Sequence, residues 1–333
     1  MKPKVSVIMP VLNGQRFIGE AIRSIVAQTY RPVELVVVDD GSSDGTRGIV
    51  ESFAGAIELK YVRHDAPLGI PQSMNDGIRH STGSLISFLD HDDAWLPGFL
   101  ETQWNHLRTH PATGMVHSDF QTTDVEGAIL EPSVARSRNR VRPSGSVFPQ
   151  LFMDSFIVGN SVLIRRECFD RLGLFDERLR WGDYHMWLRI ARHYPVDYVP
   201  DVLTQYRQHP TQSTRSSPNT HPYKDSVALQ ALAGILELYP EARAELGETA
   251  INRRLGGLYF ELACTWWTKQ HFANTRTCLA RAIALDPWNR RSYVLYAATL
   301  LGPSLASKLH GAWRGLKERT APTGGAARTG EAG

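Results

Sequence analysis

The stretch Glu34-Leu35-Val36-Val37-Val38-Asp39-Asp40-Gly41-Ser42-Ser43-Asp44-Gly45-Thr46 decides the fold of this chain. Its opening run is short and almost continuously apolar, the pattern of a parallel strand covered on both faces. Two carboxylates close the run, and a turn of Gly, Ser and Asp follows. Upstream, Val5-Ser6-Val7-Ile8-Met9 repeats the pattern. Between the two, Ile18, Ala21, Ile22, Ile25 and Val26 recur at helical spacing. Downstream, Ile57 to Val62 and Leu85 to Leu89 read as a third and a fourth strand. Strand, helix, strand in alternation predicts an α/β domain with a mostly parallel sheet flanked by helices. Ligands of such sheets lie beyond the carboxyl ends of the strands, so the residues that close each strand carry the functional reading.

The 333 residues suffice for one large domain and a smaller one. With 42% hydrophobic and 21% charged residues and a formal charge of +3, the chain reads as a globular protein with no global signature of nucleic-acid binding. Cys168, Cys264 and Cys278 have no spacing that suits a disulfide framework or a zinc site, and Cys264 and Cys278 read as buried free thiols. Pro10 and Asn13 interrupt the first apolar run, so no secretory signal is expected from it, and no run reaches the ~20 apolar residues of a membrane span. The expectation is a cytoplasmic protein whose membrane contact, if any, is peripheral.

Three segments follow from the pattern. Residues 1–222 make the α/β domain, with Glu126 to Val147 read as a polar loop carrying Arg136, Arg138, Arg140 and Arg142, and Pro210 to Pro222 as a linker. Residues 223–302 read as an all-α appendage, in which Tyr259, Leu262, Ala263, Trp266, Leu279, Ala282 and Pro287 fit one tetratricopeptide-like helix pair. Trp266, Trp267 and Trp288 are assigned to its core. Residues 303–333 hold an apolar stripe, Leu305, Leu309, Trp313 and Leu316, beside Lys308, Arg314, Lys317 and Arg319, followed by a small, polar tail. A basic amphipathic stretch of this kind fits an anionic membrane surface as well as it fits packing on a preceding helix.

Asp39-Asp40 and Asp90-His91-Asp92-Asp93 both stand at strand carboxyl ends on one edge of the sheet. Helix capping explains one Asp per loop but not three within four residues. Carboxylates crowded there repel unless a cation joins them. A hard divalent ion, Mn²⁺ or Mg²⁺, held with the help of substrate phosphates, is the natural partner.

The runs Val5 to Gly14, Val36 to Thr46 and Phe88-Leu89-Asp90-His91-Asp92-Asp93-Ala94-Trp95-Leu96-Pro97 strongly resemble glycosyltransferase family 2. The likeness continues through Gly159-Asn160, Trp181-Gly182-Asp183-Tyr184-His185-Met186-Trp187-Leu188-Arg189 and Tyr206-Arg207-Gln208-His209. It implies the A-type glycosyltransferase fold and the metal-assisted, inverting transfer of a sugar from a nucleotide-sugar donor, UDP-linked by preference. The acceptor would be a hydroxyl of a saccharide or lipid-linked molecule. By the same resemblance Pro10, Leu12 and Asn13 line the nucleotide pocket, and Asp40 with Asp39 binds base or ribose. Asp90 holds the ribose or supports the metal, Asp92 ligates it, His209 touches the diphosphate or metal, and Asp183 is the catalytic base. Two departures stand out: Gly182 precedes Asp183 where the family usually has Glu, and Met74 stands where many relatives carry an arginine. Arg63, Arg79 or Arg207 then remains to neutralise the leaving group. Rival readings of the same carboxylates are a haloacid-dehalogenase-type phosphatase, a receiver domain and a non-catalytic sugar-nucleotide-binding scaffold.

Overall fold

The computed structural model describes residues 2–137, 142–212 and 223–300, the last stretch without the side chains of 223–225. Arg138 and Arg140, most of the 210–222 linker, the amphipathic stretch from Pro303 to Arg319 and the tail lie outside the described residues.

Strands β1 (Val5–Val11), β2 (Val33–Asp39), β3 (Glu58–Arg63) and β4 (Leu85–Phe88) pair in parallel in the order β3-β2-β1-β4. Every residue of β1 and β2 is buried, as the unbroken apolar runs require. Helices α1 (Ile18–Val26), α2 (Thr46–Glu51) and α3 (Ile70–His80) connect them. On α1 the buried face is Ile18, Ala21, Ile22 and Ile25, while Val26, the fifth member of the stripe read from the sequence, is only partly buried. Gly77 lets α3 lie close on the sheet, since a Cβ there would collide with the Ile8 side chain of β1. The carboxyl ends of β2, β1 and β4 therefore line up along one edge, which brings Asp39-Asp40, Leu12-Asn13 and Asp90 to Asp93 side by side.

Beyond β4 the sheet changes character. The next elements are β5 (Ala94–Trp95), α4 (Phe99–Thr109), β6 (Met115–Thr123), β7 (Ile129–Glu131), α5 (Val134–Ser137) and α6 (Phe148–Met153). They are followed by β8 (Val162–Arg165), α7 (Arg166–Leu172), α8 (Asp183–His193) and β9 (Val196–Arg207). The sheet continues β4-β8-β6-β9-β5, with β7 on β6. Strand β8 is antiparallel to both β4 and β6, β5 is antiparallel to β9, and β6 and β9 are parallel. The parallel rule thus holds for the first half, and the second half is mixed. Inside the stretch read as a polar loop, β7 and α5 are ordered because buried Asp119 accepts from Ser133 Oγ and, at 3.1 Å, from the Ala135 N–H.

The remaining helices are α9 (Tyr223–Leu238), α10 (Ala242–Leu246), α11 (Glu248–Thr268), α12 (Phe272–Leu285) and α13 (Arg290–Leu300). Contacts within the chain group the described residues into two compact units. Among the described residues, one unit takes those up to Gln212 together with Gln230–Leu246; the other takes 223–229 and 247–300. The reason is visible at α8: Arg192 pairs with Glu245 at 2.5 Å and Glu241 at 3.4 Å, and His193 meets the Tyr239 hydroxyl at 3.2 Å. In the second unit Leu262, Ala263, Cys278 and Leu279 form a small core, with Tyr259, Phe260 and Trp266 packed against it. Trp267 is buried, but Trp288 is 89% exposed, because it lies in the turn after α12 and off the helix face that packs. Cys264 is half-buried, not fully buried. Among the described residues no helix is long and apolar enough to cross a membrane.

Candidate active site

The turn after β4 is closed by the Asp93 N–H donating to the Asp90 carbonyl at 3.2 Å. It gathers the carboxylates of Asp90, Asp92 and Asp93 so that one oxygen of each lies within 4.8 Å of the others. Burial, then the charge of Asp92 and then that of Asp183 push the Asp90 carboxyl up to about 7. Burial, with Asp92 and Asp90 beside it, likewise raises Asp93 well above the carboxylate range. Asp90 and Asp93, pushed toward protonation by burial and by the charge of Asp92 beside them, form with Asp92 a donor set that a divalent cation would relieve. The residues fit the expected metal.

His209 comes to the same place from the far end of β9. Its Nε2 meets Asp92 Oδ2 at 2.8 Å, its Nδ1 meets Thr211 Oγ1 at 2.9 Å, and its ring lies 4.9 Å from that of Phe17. Asp183 opens α8, where its Oδ1 accepts from the Tyr184 N–H at 2.8 Å. Its other oxygen faces Gly159, close enough that a Cβ there would stand 3.8 Å away. The fold thus brings Asp90, Asp92 and His209 together, with Asp183 near enough for its charge to act on Asp90, although the four span 120 positions of sequence.

The residues expected to line the nucleotide occupy the neighbouring strand ends. Pro10 is buried within β1, Leu12 is 42% exposed, and Asn13 adopts φ 53°, a left-handed conformation that Asn tolerates. That backbone lets the Asn13 N–H donate to Ser42 Oγ at 2.8 Å while its Oδ1 accepts from the Ser43 N–H at 2.9 Å. Asp39 is fully buried and accepts from the Ser42 N–H, the Tyr61 hydroxyl and Arg63. Burial pulls its carboxyl upward, but the bonds from Ser42 and Tyr61 and the Arg63 charge prevail and hold it below the usual range. Asp40 receives the N–H groups of Leu68 and Gly69 at 2.8 and 2.9 Å and meets His64 Nδ1 at 2.7 Å. Both carboxylates therefore fix local backbone: Asp39 the Ser42 turn, Asp40 the loop entering α3.

None of the three arginines offered for the leaving group is without a carboxylate partner. Arg63 pairs with Asp39, Arg79 with Asp76 and Glu177, and Arg207 with Glu20. Arg207 instead braces the acidic turn. Its Nε donates to the Asp92 carbonyl at 3.0 Å, its backbone N–H donates to Asp93 Oδ1 at 2.8 Å, and its guanidinium lies 5.1 Å from the Phe17 ring. Asp93 also accepts from Asn160 Nδ2. Sequence reasoning missed these brace residues, although Gly159-Asn160 and Tyr206-Arg207 were in view as motif positions. His91 stays out of the cluster and packs against Gly14, where a Cβ would come within 2.8 Å of its ring.

A family model described as glycosyl transferase family 2 matches residues 6–173. An uncharacterized glycosyltransferase of Rickettsia typhi is 34% identical over 222 residues, covering 65% of this chain and 68% of its own. Among solved structures, S. aureus TarS in complex with UDP-GlcNAc superposes with a TM-score of 0.63 at 17% identity, over 94% of this chain and 92% of TarS. The mannosyltransferase PcManGT of Pyrobaculum calidifontis, in complex with GDP-Man and Mn²⁺, gives 0.57 at 22% identity, over 94% and 88%. Neither a phosphatase nor a receiver domain accounts for a match that runs this far. The chain belongs to glycosyltransferase family 2, has the A-type fold and is a glycosyltransferase.

Proposed function

We propose that the protein transfers a sugar, with inversion, from a UDP-sugar to a hydroxyl of a saccharide or lipid-linked acceptor. The observation that carries this reading is the convergence of Asp90, Asp92 and Asp93 with His209 on one side and Asp183 on the other. The nucleotide-sugar complexes of TarS and PcManGT support the donor class. In this reading Asp92, assisted by Asp90 and His209, holds a divalent ion, Mn²⁺ or Mg²⁺. Bound there, the ion would offset charge on the departing nucleoside diphosphate. Pro10, Leu12 and Asn13 position the nucleotide, and Asp39 and Asp40 keep the turns beneath base and ribose in shape. Asp183 accepts the acceptor's hydroxyl proton as its oxygen bonds to the anomeric carbon and the bond to the phosphate oxygen breaks. One carboxylate base suits direct displacement, whereas a retaining double displacement by carboxylates would need a second one as nucleophile.

Nucleoside diphosphate release is the direct test, measured over a panel of nucleotide sugars with Mn²⁺ and with excess chelator. Release from a UDP-sugar should require the metal and fall to background in Asp92→Ala. Equal turnover in chelator would remove the metal role, and a preference for another nucleotide would remove UDP.

A further inference from the structure

Far from the acidic turn, His106 and His110 stand four residues apart at the carboxyl end of α4, a spacing that puts both on one helix face. Their rings stack at 4.1 Å, 7° from parallel. Asp197, second residue of β9, faces them: its Oδ2 meets His106 Nε2 at 2.9 Å. The three side chains each bring a ligand atom within 4.8 Å of the others.

We propose that His106, His110 and Asp197 form a second cation site, selective for a late first-row divalent ion such as Zn²⁺. Two imidazoles and one carboxylate suit zinc-like ions and not the oxygen-seeking Mg²⁺ or Mn²⁺. Bonds of ~2.1 Å in a tetrahedral shell place ligand atoms about 3.4 Å apart, and because the two rings lie nearly parallel, His110 has to turn out of the stack to aim a nitrogen at the ion that His106 and Asp197 face. His110 is exposed and can supply that movement by side-chain rotation.

The carboxylate is already anchored. Asp197 Oδ2 accepts from the Thr113 hydroxyl at 2.7 Å, and Oδ1 accepts from the Gly145 N–H at 3.1 Å. A purely structural role explains His106, which serves as a partner to Asp197. It leaves His110 Nε2 without a partner among the described residues, since only Nδ1 makes contacts, with Thr109 Oγ1 and the His106 carbonyl. The site is distinct from the acidic turn. Asp197 stands at the start of β9 and Arg207, two residues before His209, closes it, ten residues or roughly 33 Å of strand away at about 3.3 Å per residue.

Calorimetric titration of Zn²⁺ into the Asp92→Asn protein, where the acidic turn has lost a carboxylate, isolates the site. We expect a micromolar binding event that weakens at least about tenfold when His110→Ala is added. Because His110 is exposed, the metal-free double variant should unfold at the temperature of its Asp92→Asn parent; a fall would call for His110→Gln in its place. In the wild-type background, His110→Ala should leave Mn²⁺-supported transfer unchanged, which separates this site from the transferase reading. Equal Zn²⁺ affinity with and without His110, or no binding below millimolar Zn²⁺, overturns the proposal.

Discussion

Asp183 shows how a single residue is prepared by its surroundings. It opens α8, so its carboxylate can satisfy the first backbone N–H groups of the helix, and Tyr184 N–H takes that role at 2.8 Å. The other oxygen is turned toward Gly159, the one residue type there that brings no side chain of its own. Asp183→Asn keeps the shape and the bond to Tyr184 while removing the proton acceptor. Turnover should drop roughly 10²–10⁴-fold, with UDP affinity in Mn²⁺ unchanged by calorimetry. Near-normal turnover would take the base role from Asp183. At this scale the sequence was informative wherever chemistry is written locally. Asp90, Asp92, Asp183 and His209 were all found as motif positions, and the fold brings them together. The brace formed by Asp93, Asn160 and Arg207 escaped notice, since its bonds join residues 67 and 114 positions apart and one donor is a backbone N–H.

Strand β2 illustrates the element scale. Glu34 sits in it fully buried, at the sheet edge opposite the active site. It accepts from Ser6 Oγ, the Thr82 N–H and hydroxyl, the Gly83 N–H and Lys60, so it ties β1, β3 and the turn before β4 to β2. Burial raises the carboxyl, but the bonds from Ser6, Thr82 and Lys60 prevail and hold it at about 2, down from 4.5. A folded pKa below the unfolded one means stability fully present above about 4.5 and lost as pH falls toward 2. The contribution is on the order of 3 kcal/mol. Glu34→Gln should therefore lower stability by about 2–3 kcal/mol at neutral pH, and its denaturant-unfolding free energy should lose part of the wild-type slope between pH 4.5 and 2. An unchanged acid slope would show that Glu34 is not the group responsible. Elements with a plain period, β1, β2 and α1, were legible from the sequence. Strand β6, Met115-Val116-His117-Ser118-Asp119-Phe120-Gln121-Thr122-Thr123, was not: it is buried throughout although most of its residues are polar. Its neighbours β8 and β9 come from later in the chain, and no local pattern announces them.

At the scale of the whole molecule the described residues group into two compact units. Every residue assigned to chemistry belongs to the first unit, and so does the segment Gln230–Leu246 that follows the linker. That segment is not a passive extension. Helix α9 buries Leu232 and Ile235 completely, Gly234 lies 3.3 Å (as a virtual Cβ) from the half-polar ring of His185, and Glu241 and Glu245 hold Arg192. The ion pairs are partly exposed and contribute little, ~0–1 kcal/mol each. The apolar side chains decide the matter: two of them at roughly 1.5 kcal/mol or more give about 3 kcal/mol, or about 6–12 °C in a domain of this size. Two truncations test this. A chain ending at Leu246 should fold and retain UDP-sugar turnover, because it keeps the entire first unit. A chain ending at Pro222 should melt at least about 6 °C lower, with turnover lost on mild heating before that of the longer chain. Equal melting of the two would place the boundary back at residue 222, and an inactive but folded 1–246 chain would assign the later helices a part in the reaction itself.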